Sequence, residues 1–235
     1  MYRIFPSPKQ CTFYHNTLSC TSYGSVTTAP EIEESCRAAG FDPAPLLASV
    51  FPGGFSPEGI TLTAEYVSCA PEGFQLNIAP SGIRISCGDG AGFFYALGVL
   101  VQLAAQAGGT LPCAEIADEP VLSVRGIMLD IGRDKIPAME TLRRLIDLFA
   151  SMRINHLQMY MEGFSFDYED FHYLFTNETP MTPAEFRELS LYARAHFIDL
   201  VPNQNVLGHM EKWLEKPQFR SLAECEDGYI CLLYT

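Results

Sequence analysis

From residue 121 onward the chain repeats one pattern: an apolar run of strand length, a short polar break, and a longer segment with apolar residues at helical spacing. "SVRGIMLDI" precedes a helix over 140–153 with Leu142, Leu145, Ile146, Phe149 and Met152 on one side; "HLQMYM" precedes "TPAEFRELSLYARAHF"; "IDLVPNQNV" opens a third repeat. Strands separated by helices can pair in parallel, and near-continuous apolar strands imply a sheet covered on both faces. Thr182, Pro183 and Glu185 give the second helix a capping box with proline in its first turn, and Phe186, Leu189, Ala193 and His196 mark its inner side. The class is α/β, and the repeats predict an incomplete (β/α)8 barrel with about three βα units.

The residues before this pattern predict a separate, small α+β domain over 1–118, with the barrel part over 121–230. Its start reads as irregular, with proline and glycine clustered in "FDPAPLLASVFPGGFSPEG". In "EGFQLNIAPSGIRISCGDG", Phe74, Leu76 and Ile78 alternate, Pro80-Ser81-Gly82 turns the chain, and Ile83 and Ile85 resume the alternation, which predicts a hairpin. The next segment carries Phe94, Leu97, Leu100, Val101 and Ala104 at helical spacing and stops at Gly108-Gly109. "LPCAEIADEPVLS" then reads as a polar connector bounded by prolines, and its Asp118-Glu119 pair as solvated loop carboxylates.

Charge narrows the function. With 28 acidic against 15 basic residues the net charge is −13, a field that repels nucleic acid and anionic membrane surfaces and favours a neutral ligand. "MYRIFPSPKQ" lacks the charged start and apolar core of a signal peptide, and no run comes near the roughly 18 apolar residues of a membrane span. A cytoplasmic location is the expectation, and the widely spaced cysteines, 8 in all, are expected to be reduced, partly buried thiols. No metal-ligand spacing, phosphate-binding glycine loop or nucleophile elbow is found, so neither a cofactor nor a metal is expected.

Functional groups of such barrels sit at the C-terminal ends of strands and in the loops that follow. On that rule Asp130 ends the first strand, Glu162 the second, and Asn203, Asn205 and His209 follow the third. Each has a structural alternative: Asp130 pairing with Arg133 or capping a helix, Glu162 as a loop carboxylate, His209 capping "MEKWLE". Their common placement favours a site. Arg125 is read as lying inside an apolar strand, where a guanidinium must meet a carboxylate or donate to a ligand hydroxyl. "YEDFHYLF" is aromatic enough either to line a sugar subsite or simply to pack.

These stretches resemble a known family. "EGFQLNIAPSGIRISCGDGAGFFYALGVLVQL" is similar to the small α/β domain that precedes the barrel in glycoside hydrolase family 20, the β-N-acetylhexosaminidases. "EIADEPVLSVRGIMLDIGRDKIPAMETLRRLIDLFASMRINHLQMYM" resembles that family's domain junction and first βαβ unit, and with "LVPNQNVLGHMEKWL" the likeness covers residues 70–215. It implies a retaining exo-hydrolase that releases terminal N-acetylglucosamine or N-acetylgalactosamine, assisted by the substrate's own acetamido oxygen. It also implies that Arg125 binds sugar hydroxyls and that Glu162 and His209 line the pocket and support the catalytic groups; Asp130, from its strand-end position, is added to the substrate-binding candidates. Asp134, Asn203, Asn205 and Glu162-Gly163 depart from the family's usual histidine, acidic pair and Asp-Asp, which suggests the branch of smaller, intracellular enzymes.

The family's catalytic Asp-Glu pair follows the fourth strand, so no catalytic residue is expected within these 235 residues. The tail "CLLYT", residues 231–235, has no counterpart in the family and resembles a translated sequencing adapter; a truncated, inactive piece is the expectation. Two other readings are a non-catalytic carbohydrate-binding or scaffold protein on the same fold, and a different sugar hydrolase sharing the small first domain. "RGIMLDIGR" argues against the last.

Overall fold

The computed structural model describes residues 2–133, 135–174 and 179–223. Two compact units form: Met1–Ser123 with Phe149–Arg153 and Arg194–Phe197, and Val124–Leu148 with Ile154–Ala193 and Ile198–Thr235. The tail 231–235, Asp134 and Phe175 lie outside the described residues.

The first unit runs β1 (Gln10–Ser19), β2 (Tyr23–Thr28), α1 (Pro30–Ala39), α2 (Ala44–Val50), β3 (Ile60–Tyr66), β4 (Phe74–Ala79), β5 (Gly82–Cys87), α3 (Gly90–Ala107) and β6 (Thr110–Asp118). Its sheet has the order β1-β6-β4-β5-β3-β2. β4 and β5 form the expected hairpin, antiparallel with Ala79 opposite Gly82. Phe74, Leu76 and Ile78 are buried while Gln75 and Asn77 face out, so one sheet face is apolar and the other polar. The helices supply the apolar cover, with Ala96, Leu97, Leu100 and Leu103 of α3 fully buried.

Four expectations for this unit fail. Its start is regular, because β1 is an edge strand exposed along nearly its whole length and shows no alternation to read. "LPCAEIAD" is not a connector but most of β6, paired on both sides. Pro112 hid it; it is tolerated because it stands beyond the β4 register and next to the irregularity in β1. Asp118 is not loop-solvated either: it ends β6 as the partner of Arg153, whose guanidinium lies 5.4 Å from the Phe74 ring. Moreover, α3 is long and apolar enough to cross a membrane by length and composition, contrary to the sequence reading, yet here half of it is packed inside the unit. The six described cysteines are unbridged, with Cys20, Cys36, Cys87 and Cys113 buried.

The second unit is built from β7 (Gly126–Asp130), α4 (Met139–Ser151), β8 (His156–Met161), a 3-10 turn (Glu169–Leu174), α5 (Pro183–Ala195), β9 (Asp199–Gln204) and α6 (Glu211–Leu214). The three strands are parallel in the order β7-β8-β9. They form an incomplete (β/α)8 barrel. The capping box is made: Thr182 Oγ1 donates to Glu185 Oε2 at 2.8 Å and accepts from the Glu185 N–H at 3.2 Å. α4 and α5 are joined by an Arg143–Glu188 ion pair and by the Tyr192 hydroxyl donating to Asp147 at 2.6 Å. Leu157, Met159 and Met161 of β8 are buried while Gln158 and Tyr160 are only half covered, so one face of this sheet is packed and the other is open. That corrects the expectation of two buried faces.

Candidate functional site

Parallel strands in register bring their C-terminal ends to one edge, and the register here sets Asp130 beside Tyr160 and Tyr160 beside Asn203. Just past that edge, Asp130 Oδ1 accepts from the Gly132 N–H at 2.8 Å, which folds the chain back in a tight turn. The turn presents Arg133. Its Nη1 donates to Asp130 Oδ2 at 3.0 Å, its Nη2 lies 3.3 Å from Glu162 Oε2, and its guanidinium carbon stands 5.6 Å from the Tyr160 ring centre. One planar fork therefore bridges the ends of two strands.

Glu162 is the hub. Besides Arg133 it accepts from the Tyr160 hydroxyl at 3.1 Å, and His209 Nδ1 is 3.9 Å from its other oxygen. Tyr160 in turn accepts from Asn205 Nδ2 at 2.6 Å, so a donor chain runs from the end of β9 through the phenol to the carboxylate. Desolvation is the main cause that holds the Tyr160 phenol above its ordinary pKa, which keeps its proton available for Glu162. Gly132 makes the assembly possible: a Cβ there would stand 2.6 Å from both the backbone N and the Cβ of Glu162. Only glycine lets the first loop approach the second strand this closely.

The structure thus brings Asp130, Glu162 and His209 together around Arg133, while the Arg125 backbone stands at the opposite end of the strand. That residue precedes β7 rather than lying inside it, and its backbone N–H donates to Asn155 Oδ1 at 2.8 Å at the N-terminal end of the sheet. Five steps of extended chain, about 16 Å of rise, separate its backbone from that of Asp130. The arginine at the rim is Arg133. Its signal was in the sequence as an Asp130-x-x-Arg133 spacing just past a strand end, read there only as a structural pair. Tyr160 was likewise detectable, two residues before Glu162 and so on the same face.

Of the two asparagines, Asn205 joins the network, whereas Asn203 Nδ2 turns to the Met128 sulfur at 3.8 Å. His209 does not cap α6, whose N-cap is Met210; it adopts a φ of 53° in the loop. In "YEDFHYLF", Phe171 packs on Trp213 and Phe219, each at 5.4 Å, while Tyr168 donates to Gln204 at 3.0 Å. Trp213 is buried, donating to the Gly163 carbonyl at 3.0 Å. No cluster of three metal-ligating side chains occurs among the described residues.

An α+β unit followed by parallel βα repeats, with charged and hydroxyl side chains gathered at the strand ends, is the architecture of a barrel enzyme with an accessory first domain. The glycosyl hydrolase family 20 domain 2 model matches residues 1–119 and the family 20 catalytic domain model matches residues 123–228. The chain belongs to glycoside hydrolase family 20.

A β-hexosaminidase of Akkermansia muciniphila is 28% identical over 158 residues, 59% of this chain and 32% of that protein. A lacto-N-biosidase of Bifidobacterium bifidum is 28% identical over 153 residues, 65% of this chain and 14% of that protein. The chain therefore spans a third or less of the length of these relatives. The crystal structure of a family 20 exo-β-N-acetylglucosaminidase from Vibrio harveyi in complex with N-acetylglucosamine superposes with a TM-score of 0.75 at 20% identity, over 94% of this chain and 38% of that one.

Proposed function

We propose that this chain carries the hydroxyl-gripping part of a retaining exo-β-N-acetylhexosaminidase site, and that it binds a terminal N-acetylglucosamine or N-acetylgalactosamine residue of a glycoside. The observation that carries the reading is Arg133 held between Asp130 and Glu162 at the strand ends. A sugar ring offers hydroxyls that both donate and accept, and a guanidinium flanked by two carboxylates matches that alternation with charge-assisted bonds. The Asn205–Tyr160–Glu162 chain holds Glu162 in place, so little ordering remains when the sugar arrives. Fixing the ring this way orients it for attack by its own acetamido oxygen, the route taken in this family.

Asp130 and Glu162 are acceptors toward Arg133, which makes them binding groups rather than proton donors. The proton donor and the carboxylate that orients the acetamido group belong to the part of the family's catalytic domain beyond these three βα units. On this reading the 235-residue chain binds without turnover. Titration with N-acetylglucosamine, followed by Trp213 fluorescence, is expected to saturate in the wild type. Arg133→Ala is expected to weaken binding roughly ten- to a hundredfold, the loss of a charged hydrogen-bonding group. Equal affinities for Arg133→Ala and the wild type, or release of nitrophenol from a nitrophenyl N-acetyl-β-glucosaminide by the chain alone, refutes the assignment.

A further inference from the structure

The polar face of the first unit's sheet carries hydrogen-bonding side chains in register across its strands. Followed from one edge to the other, the pairings give the row Thr12, Glu115, Asn77, Arg84, Thr63 and Thr27, with Gln10, Ala117, Gln75 and Ser86 in the row beside it. Strands about 4.8 Å apart make the first row roughly 24 Å long. The small residues Ala79, Gly82 and Ala117 leave space among the longer ones, and the face holds a groove of about 670 Å³. It runs on into a second cleft of about 240 Å³, with Gln10, Gln75, Ser86 and Ala117 lining both.

Charge and polarity together restrict what this groove can hold. Its lining has one acid and one base, Glu115 and Arg84. Glu115 accepts from Asn77 Nδ2 at 3.5 Å and from the Tyr14 hydroxyl, and Arg84 Nε lies 3.4 Å from Glu65. With no surplus cation in the lining and a net charge of −13 on the chain, a polyanion is disfavoured. A protein partner would need an apolar centre, yet the apolar residues Leu76, Ile83 and Ile116 under the groove are buried. What the groove offers is hydroxyls and amides that both donate and accept, which matches the hydroxyls of an uncharged sugar chain. Tyr14, half exposed on β1 with its hydroxyl tied to Glu115, adds an aromatic face against which a sugar ring can pack.

We infer that this groove is a second glycan-binding site, which holds an uncharged oligosaccharide laid across the strands of the first unit. It does not depend on the Arg133 rim, and so stands apart from the function proposed above. Its hydrogen bonds are individually weak because water competes for them, so affinity must accumulate along the row. A tetrasaccharide can reach several of the paired residues at once, whereas a monosaccharide cannot.

The test is amide NMR titration of the 235-residue chain. The probes are tetramers of β-1,4-linked N-acetylglucosamine, β-1,4-linked glucose and α-1,4-linked glucose, their monosaccharides, and a heparin tetrasaccharide as the polyanion. At least one neutral tetramer is expected to move amides of β1, β4, β5 and β6 saturably and to bind roughly tenfold tighter than its monosaccharide, about the gain from two added hydrogen bonds. Gln75 and Asn77 are both exposed on β4, so Gln75→Ala/Asn77→Ala should leave the fold intact and weaken the tetramer roughly tenfold. Tyr14→Ala, on a different strand, should weaken it several-fold; if the double variant loses the first unit's folded amide spectrum, Tyr14→Ala decides in its place. Arg37→Ala, exposed on α1, and Arg133→Ala should leave these shifts unchanged. No first-unit shift with any neutral tetramer, no gain over the monosaccharide, wild-type affinity in the groove variant, or tighter binding of the heparin fragment overturns the inference. Movement confined to second-unit amides keeps the rim and removes this site; movement of first-unit amides alone does the reverse.

Discussion

Gly132→Ala isolates the contact on which the rim is assembled. The backbone at Gly132 is not in the left-handed region, so alanine is conformationally acceptable and only the new methyl matters. That carbon would stand 2.6 Å from the Glu162 N and Cβ and 3.1 Å from its Cα, where carbon contacts normally settle near about 3.5–4.0 Å. The turn must therefore retreat by about 1 Å, and Arg133 with it, which carries Nη2 from 3.3 Å beyond ion-pair range of Glu162. Overpacking of this kind costs about 1–3 kcal/mol. With a urea slope of about 2 kcal/mol/M, the midpoint should fall by roughly 0.5–1.5 M. Trp213 is the sole tryptophan, lies in the second unit and hydrogen-bonds to Gly163 at 3.0 Å, so its fluorescence follows unfolding of that unit. A midpoint within about 0.2 M of the wild type at unchanged slope, together with unchanged N-acetylglucosamine affinity, would refute the reasoning.

Two further outcomes follow from the same geometry. Thr182→Ala removes the reciprocal cap at the start of α5 and should cost about 1 kcal/mol in the Trp213-monitored urea transition, whereas Thr182→Ser restores most of it; equal midpoints for all three proteins would refute the cap's contribution. The Cys87 thiol is pushed up to about 12 by burial and, next, by Asp89. In alkali the unfolded chain then releases this proton before the folded one, so the stabilisation is complete below pH 9.0 and declines as pH rises toward about 12. Far-UV urea transitions at about pH 8 and pH 10.5 should show a loss of first-unit stability that is smaller in Cys87→Ala; an identical loss in the variant contradicts the burial argument.

The second unit was legible because its strands and helices announce themselves by period. Leu142, Ile146 and Phe149 mark the inner face of α4, and Thr182 to Glu185 start α5 where the side chains say they should. The first sixty residues were not, because an edge strand buried on neither face carries no alternation, and α1 is too rich in charge to show a stripe. At the rim, position after a strand found Asp130, Glu162 and His209. Arg125 stands one residue before the strand rather than inside it, since an apolar run does not reveal where pairing begins; pairing starts at Gly126. What a linear reading could not supply is the turn at Gly132, a hydrogen-bonded loop that swings the next arginine over two strands.

The short separation between Arg125 and Arg133 also works as a ruler. Five residues of β7 fix the distance between the floor of the sheet and its rim, and a strand's facing reverses with every residue added or lost. A one-residue insertion or deletion within 126–129 would therefore swap the Asp130 carboxylate to the other sheet face and erase the grip, while length changes in the 3-10 turn at Glu169–Leu174 leave it standing. Among descendants of this gene the first segment should be rigid in length and the second a place where lineages diverge.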